Sequence, residues 1–412
     1  MRMQFLNQIS IYKKTRRVLA LLMISVIVSQ CVEPFDIETE NFEDILVVNA
    51  TITNEVKHQQ ILLSRTFRFE DDGPLAEQGA TVKVIEGVGT EYLFEELTPG
   101  VYTSIQEFAA TPGNEYQLSI VTQNNRSYIS NKTTLPQETS IDRVYAERTT
   151  NNDGTEGVEV FVDTFDPTGN SLYYRYEYEE TYRIITQNWN SDDINGLRSP
   201  LGPFLFFLTE RPEGQRICYN TVVSNNINVN NTTTLGEDRL TRFPVRFLRP
   251  DEIAIADRYS ILVKQYVQSR EANEFYETLS SFSESESLFS QIQPGFVGGN
   301  IVSEVNPSEK IIGFFDVSSI ATERIFFDRE DFVIDLPGFS PDCDLFAPEP
   351  ASGESSEDFL TRVIGVINSG DFKFFDFQEG ADIQQGLYIF VPRECGDCTV
   401  FGRSEAPDFW ID

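Results

Sequence analysis

The chain has 412 residues, of which 32 are Lys or Arg and 65 are Asp or Glu, giving a net charge of −33 with a single histidine. So negative a chain repels nucleic-acid phosphates and offers no basic patch to anionic lipid heads, which excludes nucleic acid as a partner. The lone histidine, His58, lies in Lys57-His58-Gln59-Gln60 between two expected strands and reads as a plain surface residue. That disfavours Ser-His-Asp and Cys-His catalysis, and His-rich zinc motifs need more than one histidine.

Residues 1–17 carry Arg2, Lys13, Lys14, Arg16 and Arg17 and no acid, and an apolar stretch of about a dozen residues follows at 18–28. A basic start and a short apolar core are the layout of a secretory signal, since a spanning helix needs about 20 apolar residues. Val28-Ser29-Gln30-Cys31 closes the segment. Residues 1–30 therefore read as a lipoprotein signal peptide, with Cys31 as the lipid attachment site that holds the mature chain on a membrane. Gln30 departs from the small residue usual before such a cysteine, and a free buried cysteine behind an ordinary signal is the alternative. Residues 31–44 hold Pro34 and several acids but few apolar side chains, which predicts a flexible acidic tether. Acidic residues directly behind the cysteine resemble the surface-export signal of Bacteroidota lipoproteins. The expected localisation is the outer membrane, lipid-anchored and cell-surface exposed.

From residue 45 to 135 short apolar or alternating runs recur at 45–48, 60–64, 80–85, 92–94, 101–103 and 116–120, with turn signals at Pro99-Gly100 and Pro112-Gly113. Strands follow one another with no room for helices, which predicts a β-sandwich of about seven strands. The turns before Tyr102 and Tyr116 look like those of carboxypeptidase-regulatory or fibronectin-like modules. Leu135-Pro136-Gln137 reads as a hinge. A larger β-rich domain then covers 139–412, with long runs at 158–162, 172–185, 217–229, 243–248 and 259–267. Two stretches carry the apolar stripe of amphipathic helices, 269–282 and, more weakly, 357–367. The predicted class is thus all-β, an Ig-like sandwich followed by a larger β domain with one or two short helices.

Four cysteines follow Cys31, namely Cys218, Cys343, Cys395 and Cys398. An even count in an exported chain predicts disulfides, and four cysteines allow three pairings. Cys395 and Cys398 are separated by two residues, as in redox or zinc sites, but no βαβ context or further soft ligand accompanies them. A bridge between those two would close a strained ring, so at least one of them is expected to reach Cys343 and pin the C-terminal tail. Residues 191–196 resemble the start of a calcium loop, but its final carboxylate would fall on Gly202, and a turn is the better reading. Gly298-Gly299-Asn300 lacks the lysine and helix of a phosphate loop. With 65 acids, proximity in sequence cannot single out a glycosidase pair. No catalytic residue, metal or cofactor is called for. Among 33 Phe and 16 Tyr, most of which must pack a core, two groups stand apart. Phe204, Phe206 and Phe207 lie in an apolar run that forms either a buried strand or a partner-contact patch. Phe409 and Trp410 either plug the second domain's core or dock a partner, since Trp is frequent among binding hot spots.

Ile217-Cys218-Tyr219, the helix at 271–276, residues 299–307, 312–318 and 324–327, Cys395-Gly396-Asp397-Cys398 and Pro407-Asp408-Phe409-Trp410 occur in an order that resembles a family of Bacteroidota outer-membrane lipoproteins, defined by domain of unknown function 4249. The resemblance runs from Cys31 to Trp410. It implies a non-enzymatic surface module working with a TonB-dependent receptor, tethered through Cys31, with no catalytic residues to transfer. A structural or adhesive surface protein is the alternative, and a surface-polymer hydrolase the third.

Overall fold

The structure is a computed structural model that describes residues 44–67, 73–199, 202–284, 297–332, 339, 341–383 and 386–412. The expected signal peptide, Cys31 and most of the tether lie outside the described residues. The mainly β class expected from the sequence holds. Among the described residues nine strands come first, β1 (Leu46–Thr53), β2 (Gln60–Arg65), β3 (Leu75–Ala76), β4 (Thr81–Glu86), β5 (Thr90–Thr98), β6 (Val101–Ser104), β7 (Glu115–Val121), β8 (Ser127–Ser130) and β9 (Thr133–Thr134). In β7, Tyr116, Leu118 and Ile120 are buried and their neighbours are not, because successive side chains of a strand face opposite ways. The larger part adds β10 (Ile141–Thr150), β11 (Glu156–Asp166), β12 (Tyr173–Ile185), β13 (Asp192–Arg198), β14 (Phe204–Glu210), β15 (Ile217–Val223), β16 (Asn228–Asn231), β17 (Asp238–Leu248) and β18 (Arg258–Val267). Helix α1 (Arg270–Glu284), β19 (Ile301–Ser303), β20 (Ile311–Asp328), α2 (Ser356–Ser369), β21 (Phe372–Phe377), β22 (Tyr388–Pro392) and the one-turn α3 (Arg393–Gly396) complete it.

The N-terminal strands form one hydrogen-bonded path in the order β1-β2-β6-β5-β4-β7-β8-β19. Strand β1 pairs in parallel with the first part of β20, from Leu46 opposite Ile311 to Thr53 opposite Ser318. The far end of the path returns to β20 through the bridge between Gly298 and Ile312. Asn300 seals this return, since its side chain donates to the Phe315 carbonyl at 2.9 Å and accepts from the Phe315 N–H at 2.8 Å. The sheet thereby wraps its own core, which includes Ile52, Tyr102, Tyr116, Tyr128 and, from outside residues 45–135, Ile301, Ile311, Phe315 and Val317. Glycine is required at the closure. A Cβ on Gly299 would stand 1.6 Å from the Gly313 carbonyl oxygen, and one on Gly313 would stand 2.0 Å from that of Val48.

The second half of β20 pairs antiparallel with β18, from Ser319 opposite Val267 to Asp328 opposite Arg258, and β18 pairs with β12. One strand thus serves both parts of the chain. A separate sheet of β10, β11 and β17 packs on β12 and β18, and Val158, Val160, Val162 and Leu248 meet Tyr174, Tyr176, Tyr259 and Ile261 between them. The expected strand over 217–229 is two strands, β15 and β16, because residues 224–227 leave the ladder of β12. Residues 192–196, expected to be a turn, belong to β13, which pairs with β14 from Asp192 opposite Glu210 to Arg198 opposite Phe204. The reason is tertiary, since Ile194 is buried against Phe359, Leu360 and Val363 of α2 and Phe374 of β21.

Both expected helices form. In α2 the Ser355 side chain accepts from the Asp358 N–H, and Gly370 ends the helix with a left-handed backbone, φ 78°. Two disulfides, Cys218–Cys398 and Cys343–Cys395, tie the C-terminal region to the body, so Cys395 reaches Cys343 as expected. Among the described residues no helix is long and apolar enough to cross a membrane.

Candidate functional site

Strand β12 reads Tyr-Tyr-Arg-Tyr-Glu-Tyr-Glu-Glu, tyrosines alternating with charges. Period two sends Tyr174, Tyr176 and Tyr178 into the sandwich core and turns Arg175 and Glu177 to the opposite face. That face would meet solvent in a bare sheet. Here α1 covers part of it, and Arg175 is buried at 6% exposure.

The Arg175 guanidinium is held from several sides. It pairs with Glu177, and its Cζ lies 4.2 Å from the ring centre of Tyr266 and 4.7 Å from that of Tyr276. Tyr266 stands directly opposite Arg175 on β18, and its hydroxyl donates to the other Glu177 oxygen at 2.9 Å. Burial opposes the guanidinium charge, but Tyr276, Glu177, Tyr266 and Asp316 more than offset it and hold Arg175 protonated. Asp316 of β20 is wholly buried. Burial raises its carboxyl above the ordinary range, although Arg175, Ser318 and Gln268 pull the other way. Gln268 donates to one Asp316 oxygen at 2.8 Å and Ser318 at 2.6 Å. Three buried atoms of this group make no hydrogen bond, Arg175 Nε, Gln268 Oε1 and Asp316 Oδ1. Unsatisfied buried polar atoms are costly and mark sites where function or bound solvent compensates.

A cavity of about 350 Å³ opens beside this cluster. Its lining includes the polar Arg175, Glu177, Asn49, Asn225 and Asn226 and the apolar Ile227, Leu279, Ile312 and Phe314. The loop at 224–227 that interrupts the strands after β15 supplies part of that lining. An apolar cavity with a few convergent polar groups is the usual form of a small-ligand site.

The other expected residues are placed elsewhere. Phe204 and Phe206 turn inward onto the α2 core, where the Phe206 ring lies 5.5 Å from that of Tyr388. Phe207 turns outward at 45% exposure, beside Leu205 and the opposite Leu197. The run is therefore a two-faced strand. Phe409 and Trp410 are half-buried. Arg324 lies over the Phe409 ring at 3.5 Å, and Trp410 meets Tyr219 and Phe326 edge-on at 5.0 and 5.7 Å. Arg183 pairs with Asp412, and Arg258 donates to the Ile411 carbonyl at 2.6 Å. Both aromatics cover one sheet of the sandwich. His58 is half-exposed, with Nδ1 2.7 Å from the Ser104 carbonyl oxygen. Among the described residues no three His, Cys, Asp or Glu side chains are grouped to hold a metal.

Another cavity, of about 480 Å³, is lined by Asp166 and Asp238. These carboxylates are occupied. Asp166 accepts from Thr168, Asn170 and Ser171, and Asp238 accepts from Leu172, Tyr174 and Thr232. They fasten the turns between strands.

Sequence reasoning passed over Arg175 because a charge between tyrosines on a strand reads as a solvated face. The signal that could have found it is α1, whose apolar stripe has to cover some sheet.

No curated protein matches the chain. A family match covers residues 32–324 and ends inside β20, short of the Trp410 that the ordered motifs reach. The cavity's β-strand residues and α1 all fall within it, and with most of its length matched the chain belongs to the family described as domain of unknown function DUF4249.

Proposed function

We propose that this chain is a non-enzymatic, lipid-anchored module of the outer membrane, exposed at the cell surface, that binds a small ligand and serves a TonB-dependent transporter. The observation that carries ligand binding is the cavity beside Arg175, lined by apolar side chains and by a buried guanidinium whose Nε lacks a hydrogen-bond partner. The carboxylate that lines the cavity, Glu177, pairs with Arg175 and accepts from the Tyr266 hydroxyl, a structural engagement that favours binding over catalysis. The transporter and the membrane rest on the family resemblance and on Cys31. A lipid anchor confines both partners to one surface and raises their effective concentration, so weak contacts suffice.

The test is co-purification from detergent-solubilised membranes, comparing the natural chain with Cys31→Ala. The natural chain should carry lipid and bring down an outer-membrane receptor, and the variant should lose both. A variant that is still processed and membrane-bound would show another anchor. A lipidated chain that brings down no receptor would end the transporter reading. The structural or adhesive alternative is favoured by one feature, the outward Leu197, Leu205 and Phe207 of the β13–β14 hairpin.

A further inference from the structure

The charge around Arg175 narrows what the cavity can hold. Glu177 neutralises the guanidinium. An entering carboxylate or phosphate would thus gain no net positive charge and would face the −33 of the whole chain. An entering ammonium would meet the same neutral pair, Arg175 beside Glu177, and would gain no net negative charge from it. Only Nη1 of Arg175 has a hydrogen-bond partner among the described residues, and the side chain, 8% exposed, lines the cavity. In the lining, the exposed side chains of Asn49, Asn225 and Asn226 make no hydrogen bond to any described residue. Each presents a donor and an acceptor and no charge. In the same lining, the side chains of Leu279, Ile312 and Phe314 offer only carbon.

We infer that the cavity takes a small uncharged molecule with an apolar body and an amide, carbonyl or hydroxyl head, the head meeting Arg175 and the asparagines and the body lying on Leu279, Ile312 and Phe314. The inference rests on the ligand-binding reading above and adds the chemical class. A guanidinium already neutralised acts as a hydrogen-bond donor rather than as a charge. A neutral head gives up less hydration than an ion on entry.

Three probes with one body and different heads test this, 3-phenylpropanamide, 3-phenylpropanoate and 3-phenylpropylammonium, titrated by ligand-observed NMR against the intact mature protein. The amide should saturate and bind at least roughly tenfold tighter than either ion. Ile227→Trp, which puts a bulky ring on the cavity lining, should abolish amide binding while the thermal melt stays unchanged. Asn226→Asp, at an exposed lining position, should shift preference from the amide toward the ammonium and keeps the test open if the tryptophan variant does not fold. An ion that binds as tightly as the amide overturns the head-group assignment and leaves the cavity reading standing. Amide binding untouched by either variant overturns this location. No binding of any probe at about 10 mM, the weak end expected for fragments of this size, ends both readings.

Discussion

Asp166 shows how one buried carboxylate sets a pH limit. Burial would raise its carboxyl, but hydrogen bonds from Thr168, Asn170 and Ser171 reverse the effect and bring it down from 3.8 to about 2. Because the folded value lies below the unfolded one, the unfolded chain binds the proton more readily. The stabilisation is full above about pH 4 and is lost as pH falls toward 2. It is worth about 2 kcal/mol. Asp166→Asn should lower stability by about that amount at pH 7 and by much less near pH 2, measured by urea unfolding across that range. An equal loss at both ends would place the effect in packing instead. Arg175 teaches the complementary lesson. Its neighbours Tyr174 and Tyr176 are legible as core from period two, whereas its own burial depends on α1, about a hundred positions later in the chain.

At the scale of elements, the C-terminal tail behaves as a strap. Phe409 and Trp410 do not plug the core, one of the two expectations for them. They lie half-buried on the outer face of the sheet against Arg324, Tyr219 and Phe326. The Cys218–Cys398 bridge fixes the chain just before them. Deleting residues 407–412 should cost about 2–3 kcal/mol, from one cation–π contact and two aromatic pairs, and lower the melting temperature by a few degrees. An unchanged melt would mean that these contacts add nothing beyond the disulfides. The helices were legible because an apolar stripe with a cap is local information. Strand β13 was not, because Asp192, Asn195 and Gly196 favour turns. Pairing with β14 and burial of Ile194 override that preference.

For the whole molecule the decisive element is β20. Its first half completes the N-terminal sheet beside β1, and its second half lies beside β18 in the sandwich. Residues 45–135 therefore lack Ile301, Ile311, Phe315 and Val317 of the core they enclose. A fragment 45–135 should show no cooperative melt and poor amide dispersion, while 45–412 should fold. A sharp transition for the short fragment would mean that the N-terminal strands close without β20.

The sequence by itself determined the β class, the two helices, most strand positions in 45–135 and the presence of disulfides. Each of these depends on period, caps, turn residues or an even cysteine count, all of which act over a few neighbours or by composition alone. It also carried the family, through motifs in order. The tertiary structure decided the pairing of β1 with β20, the closure at Gly299 and Gly313, the cysteine partners and the cavity at Arg175. Those depend on contacts between residues far apart in the chain, such as Thr51 opposite Asp316 and Cys218 bonded to Cys398. A strand's alternation says which side chains share a face, but what covers that face is settled only when the chain returns to it.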